Sequence, residues 1–344
     1  MTRGSASGGA VEPVLRAIPP ASGAVVMGTG IVSIALSLDR QETLSRILLA
    51  IGALVWIALG LLLVGRGLRD RPRVEREARS PAALTGVAGT AVLGTRLTLL
   101  GWTWAGIALL AIAFCFWLVL LGPVLGNWVT PTVGVSLVLT VSTESLAVLG
   151  ATLAADEHAH WLLYAALVPF LLGLAFYVFV ISRFDLRQLV IGRGDHWITG
   201  GALAISTLAA GRITLGARSL HELVGLGEAL KTISIALWVL TIVWLPVLLA
   251  TEALHPRLGY DVRRWSTVFP VGMYAACSFV VGAAVRAGGI TDFARVWVWA
   301  GLVLWLVVFA AMLRRGEQLA RGRQAPVTPA HVDELAPSHR HATP

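Results

Sequence analysis

Glu144, Arg96, Arg212 and Arg286 stand in or at the ends of long apolar stretches of this chain, where an ionisable side chain needs a reason to be. A charge at the centre of a bilayer costs about 2.5–3.5 kcal/mol even on insertion scales, so such residues mark ion paths, proton relays or polar contacts between helices. Other chemistries are poorly supplied. The eight His residues fall in loops, at helix ends or in the tail, with no i, i+4 pair inside an apolar stretch to hold a metal or haem. Cys115 and Cys277 lie inside apolar stretches and read as small apolar side chains. The "GTG" at 28–30 has neither a preceding strand nor the full G-x-G-x-x-G spacing of a dinucleotide loop. The serines of "VSTES" at 141–145 have no His or Asp in their layer to complete a triad. No catalytic residue, metal site or cofactor is expected, and a membrane enzyme or sensor is kept only as a minor alternative.

The elements that position these charges follow from composition. The chain has 344 residues, a mean hydropathy of +0.77 and 13% charged residues, about half the charge of a soluble domain. Ten charge-poor stretches approach the roughly 20-residue bilayer span, at about 20–38, 46–65, 81–99, 102–122, 132–154, 159–181, 198–215, 231–251, 266–285 and 294–313. The fold class is therefore an all-α integral membrane protein of ten spanning helices. Residues 1–15 and 316–344, rich in Gly, Ser, Ala, Pro, Arg and His, read as disordered tails flanking a membrane domain over 16–315. Most of the 27 Lys and Arg residues fall on the side of the N-terminus, with a cluster over 66–79, which places both termini in the cytoplasm. That bias accounts for the net charge of +8 without a nucleic-acid partner; the partners expected are the bilayer and a small solute.

Odd and even spans differ in kind. Spans one, three, five and seven contain no Phe, Tyr or Trp and are dense in Gly, Ala, Ser and Thr, whereas the even spans carry bulky aromatics such as Trp56, Trp117, Trp238 and Trp305. On a helix the small residues form stripes: Gly23, Gly30, Ser33 and Ser37; Ser136, Thr140, Thr143 and Ala147; Gly200, Ala204, Thr207 and Gly211. One reading is close helix packing. The other is a lumen lined by small residues inside an outer ring of greasy helices, and the alternation of five with five favours it. Arg96, Arg212 and Arg286 then share the extracellular ends of inner helices and form a cationic mouth. Glu144, beside Thr143, serves either proton coupling or hydrogen bonding between helices. Span nine is the only inner helix with aromatics, and Phe269 shares a face with Gly272 and Ala276. Preceding Pro270, Phe269 is the candidate gate, with Phe279 as runner-up and a packed aromatic as the alternative role.

The segments "VVMGTGIVS", "STESLAVLGA", "GDHWITGGALAISTLAAGR" and "WSTVFPVGMYAA" resemble the tellurite-resistance/C4-dicarboxylate transporter family over about residues 18–313. That family takes in bacterial tellurite-resistance proteins, fungal malate and sulfite transporters and the slow-type anion channels of plant guard cells. The resemblance implies five helical hairpins in quasi-fivefold array, inner helices around a central pore, and a homotrimer in the plasma membrane. It implies transport of small anions, with C4-dicarboxylates such as malate the leading class and inorganic anions or sulfite- and tellurite-related export the alternative. It also aligns Phe269 with the pore-plugging residue of the plant channels. Glu144 stands where close relatives are expected to have Gln.

Overall fold

The computed structural model describes residues 19–191, 194, 196–256 and 259–320. The N-terminal tail expected over 1–15 lies outside the described residues. We number the ten long helices α1 Gly23–Leu38, α2 Glu42–Arg69, α3 Thr85–Leu99, α4 Thr103–Gly126, α5 Val138–Asp156, α6 His160–Ile181, α7 Trp197–Ser219, α8 Gly227–Leu254, α9 Trp265–Val285 and α10 Gly288–Ala320. Inside a bilayer a helix satisfies every backbone N–H and C=O within its own segment, which is why long apolar runs resolve this way. Nine of these helices, some with a flanking 3₁₀ turn, are long and apolar enough to cross a membrane, and α1 is shorter at 16 residues. At 1.5 Å per residue α1 reaches about 24 Å, and the 3₁₀ turn Pro20–Ser22 ahead of it brings the segment close to the 30 Å of a hydrocarbon core. At the other end, α10 continues to Ala320, so residues 316–320, expected in the disordered tail, are helical. The remainder of that tail is outside the described residues.

Turns of two to seven residues join α1 to α2, α3 to α4, α5 to α6, α7 to α8 and α9 to α10, giving five antiparallel hairpins. The odd helices close a ring: α1 packs on α3, α3 on α5, α5 on α7, α7 on α9, and α9 back on α1. Each even helix lies outside, against its own partner and the next inner helix, so that α2 touches α3, α4 touches α5, α6 touches α7, α8 touches α9 and α10 returns to α1. Burial follows the same division. Helix α5 is buried throughout its apolar length, and α3, α7 and α9 through most of theirs, whereas the apolar windows of α2, α4, α6, α8 and α10 are less than a third buried. The exposed side chains of the outer ring, among them Leu61, Leu118, Val168, Val243 and Val303, present hydrocarbon to lipid. The even spans are therefore bulky because they face lipid, and the odd spans small because five helices must fit side by side.

Candidate permeation site

The small residues of the inner ring make its seams. A Cβ built on Gly23 would come within 2.7 Å of the Thr85 backbone, and one on Gly30 within 2.7 Å of Val92, both on the α1–α3 seam. On the α7–α9 seam, Gly211 faces Val280 at 2.8 Å and Gly201 faces Pro270 at 2.7 Å. Gly200 is closed by Tyr274 and Leu248, and Gly272 of α9 lies against Ile31 and Val32 of α1. Ala204 continues the Gly200–Gly211 stripe and is fully buried. Expected to line a lumen, Gly23, Gly30, Gly200, Gly211 and Gly272 instead let neighbouring helices approach, the role small residues have wherever membrane helices pack closely.

The hydroxyls turn outward. Trp117 Nε1 of α4 donates to Thr143 Oγ1 of α5 at 2.9 Å. The same contact recurs around the ring: Trp56 to Thr90 at 2.8 Å, Trp238 to Ser278 at 2.8 Å and Trp305 to Thr29 at 2.9 Å. In each case an indole of an outer helix bonds a hydroxyl of the next inner helix, a structural repeat invisible as a sequence repeat. Thr207 Oγ1 shares a 2.8 Å hydrogen bond with Thr241 of α8, and Ser33 Oγ donates to the Ser45 carbonyl of α2 at 2.7 Å. Ser37 Oγ donates to Glu42, and Ser136 Oγ accepts from the Val133 amide. Thr140 Oγ1 is buried without a partner, on the Thr143 side of α5. Of the hydroxyls expected to line a lumen, Ser33, Ser37, Thr143 and Thr207 thus bond to outer helices instead, because a lone hydroxyl in a low-dielectric interior needs a partner; Ser136 and Thr140 do not.

That pattern defines the opposite face. Two residues on either side of an outward-bonded hydroxyl lie about 200° round the helix, pointing to the ring axis. These positions include Ile31 on α1, Ala88 on α3, Val141 on α5, Ile205 and Ala209 on α7, and Ala276 and Val280 on α9, of which Ile31 and Val280 also border the seams at Gly272 and Gly211. Phe269, nine residues before Ser278, lies about 180° from it and so shares this face. All eight belong to one buried apolar cluster. Phe269 is only 2% exposed and Ile31 and Ile205 1%, so the axis is filled by side chains in this conformation. Phe279 lies about 100° from Ser278, toward a seam.

The charges separate into unlike groups. Arg96 is fully buried and committed: Nη2 donates to Glu42 Oε1 and Nε to Ser45 Oγ, each at 2.7 Å. It bridges the first hairpin to α3 and is not a free cation of a mouth. The sequence placed Arg96 correctly at a helix end, but its partner Glu42 lies 54 residues away. Arg286 caps α9 in a left-handed conformation, φ 57°, and is exposed. Arg212 has Nε and Nη2 buried with no partner and no ion pair among the described residues, whereas Arg96 leaves only Nη1 unpartnered. It lines a cavity of about 290 Å³ between the ends of α5 and α7, together with Thr152, Arg218 and Ser219. Arg218, not singled out by the sequence, donates to the Ala284 carbonyl at 3.3 Å.

Glu144 points away from the axis. Its Oε1 accepts from Ser206 Oγ of α7 at 2.9 Å, and Gly173 of α6 lies so close that a Cβ there would meet its Cγ at 2.5 Å. In this third hairpin the carboxyl occupies the wedge between α5, α6 and α7, a place where other outer helices insert an indole. Among the described residues no ion pair joins Glu144 to a cation, and Oε2 is buried without a partner.

Five apolar helical hairpins in a closed ring define an all-α membrane protein. Residues 17–313 match the SLAC1 voltage-dependent anion channel family, and the chain belongs to it. It is also 29% identical over 123 residues to proteins described as uncharacterized membrane proteins from the Oshkosh and H37Rv strains of Mycobacterium tuberculosis. That stretch covers 34% of this chain and 62% of each relative, so the match spans under two thirds of their length.

Proposed function

We propose that the protein passes small anions across the membrane along the axis of the inner ring, gathered at Arg212 and held back by Phe269. The observation that carries this reading is Arg212: two of its guanidinium nitrogens are buried and unpartnered at a cavity beside the end of the axis. Such donors lower the cost of an anion leaving water, and one-signed charge in a low-dielectric vestibule concentrates the opposite ion. Arg218 on the same cavity suits an anion with two carboxylates, so C4-dicarboxylates such as malate lead. Inorganic anions are the second reading, favoured because the axis positions beyond Arg212 are apolar. The Arg-rich ends of the helices face the cytoplasm of a plasma membrane in this reading. The protein works as a homotrimer of separately conducting subunits, as the family resemblance implies. Glu144, off the axis and bonded to Ser206, ties α5 to α7 rather than relaying protons.

The test is flux through purified protein in liposomes with chloride replaced by malate, with and without a pH gradient. Anion permeation without added cofactor supports the reading, and a malate flux above the chloride flux supports the dicarboxylate class. Liposomes that stay impermeable to every anion at all voltages overturn it.

A further inference from the structure

At the Arg-rich end, a cavity of about 350 Å³ is lined by residues of α8, α9 and α10, with Trp197 at the start of α7. Part of its lining is apolar, with Leu249 of α8, Val271 of α9 and Leu304 and Val307 of α10. Its floor is polar. Arg264 Nη1 binds Glu252 Oε1 at 2.9 Å, and Trp197 Nε1 donates to Glu252 Oε2 at 3.2 Å, so the acidic residue of the cavity is already engaged. Arg264 Nη2 and Thr267 Oγ1 are buried with no partner.

A second cavity of about 610 Å³ adjoins the first, sharing Tyr260, Val307 and Ala311, and is walled by Arg314, Arg315 and Gln318. Neither Arg314 nor Arg315 forms an ion pair among the described residues. Together the cavities form a slot that is apolar at bilayer depth and cationic at its mouth, with Arg264, Arg314 and Arg315 set against the one neutralised carboxylate. Guanidinium forks match a phosphate diester, and an ester-linked acyl chain matches the apolar wall. Basic recesses between helices at a membrane surface hold anionic headgroups for this reason.

We propose that this slot binds one anionic phospholipid from the leaflet at the Arg-rich end, its phosphate at Arg264, Arg314 and Arg315 and an acyl chain along Leu249, Leu304 and Val307. A free phosphate has no use for the apolar wall, and a neutral lipid leaves Arg314 and Arg315 uncompensated.

The test reads binding and does not depend on conduction. Full-length protein in neutral detergent is titrated with phosphatidylglycerol or phosphatidylcholine and bound lipid is counted by native mass spectrometry. With Arg314 exposed and Arg315 half-buried at the slot mouth, phosphatidylglycerol is expected to bind on the order of tenfold more tightly than phosphatidylcholine. Arg314→Gln with Arg315→Gln, at the water-facing end of α10 where folding is not at stake, removes that preference. The control Arg69→Gln with Arg76→Gln, basic residues of the same end outside the slot, keeps it. Equal binding of the two lipids, a preference that survives the α10 double variant, equal loss in the control, or competition by glycerol 3-phosphate as effective as the lipid would each overturn the assignment.

Discussion

Gly272→Ala separates a seam from a lumen. The new Cβ would lie 2.7 Å from Ile31 Cγ2, 3.1 Å from Val32 Cγ2 and 3.4 Å from the Val32 backbone nitrogen. Carbon atoms rest at about 3.5–4.0 Å, so the tightest contact is short by roughly 0.8 Å or more. The Ile31 methyl can retreat by a rotamer change, but the axis behind it is filled by the same apolar cluster, and the α1 backbone sets the next limit. Overpacking of this kind costs about 1–3 kcal/mol. The helix propensity gained on replacing glycine, about 1 kcal/mol, offsets part of it. Gly60→Ala in α2 isolates that gain, because nothing lies within 4 Å of its Cβ position. Thermal unfolding in detergent should therefore place Gly272→Ala below the wild type and Gly60→Ala at or above it, a spread of a few degrees. Gly272→Leu, which no local shift accommodates, should fail to assemble. If Gly272→Ala instead melts with the wild type while its anion flux falls, Gly272 lines a lumen and the seam assignment is wrong.

Phe269→Ala removes the largest side chain on the axis face of α9, so anion flux should rise several-fold, whereas Phe279→Ala should leave it near the wild-type level; equal currents from Phe269→Ala and wild type would exclude it as the gate. Arg212→Gln should lower flux roughly tenfold at low salt and less at high salt, because distant attraction is screened. Arg96→Gln, by contrast, should lower the melting temperature by leaving Glu42 without its buried partner, and a salt-dependent flux defect in Arg96→Gln with normal stability would return it to the mouth. Glu144→Gln keeps an acceptor for Ser206, so both flux and its pH dependence should match the wild type; a flattened pH profile in proteoliposomes would mean that Glu144 carries protons after all.

Much of this architecture is already written in composition and period. Ten apolar runs of bilayer length, separated by short turns, leave few alternatives to antiparallel helical hairpins, because hydrocarbon offers the backbone no other partner. The contrast between Gly, Ser and Thr in the odd spans and Trp, Phe and Leu in the even ones reports which helices are enclosed, since only small side chains allow five helices to sit round one axis. Periodicity does not say which way a small stripe faces. Gly30 and Thr29 are neighbours in the chain, yet one closes the α1–α3 seam and the other accepts from Trp305, 276 residues away. Those partners exist only once the ring has closed. For the same reason Arg96 reads as a free cation beside Arg212 until α2 brings Glu42 and Ser45 to it. Glu144 likewise reads as a pore residue until Gly173 and Ser206 enclose it. The amount of charge, smallness and bulk is set locally by each residue, but its direction is set by distant helices, because a polar atom in a dry interior goes where its hydrogen-bond partner is.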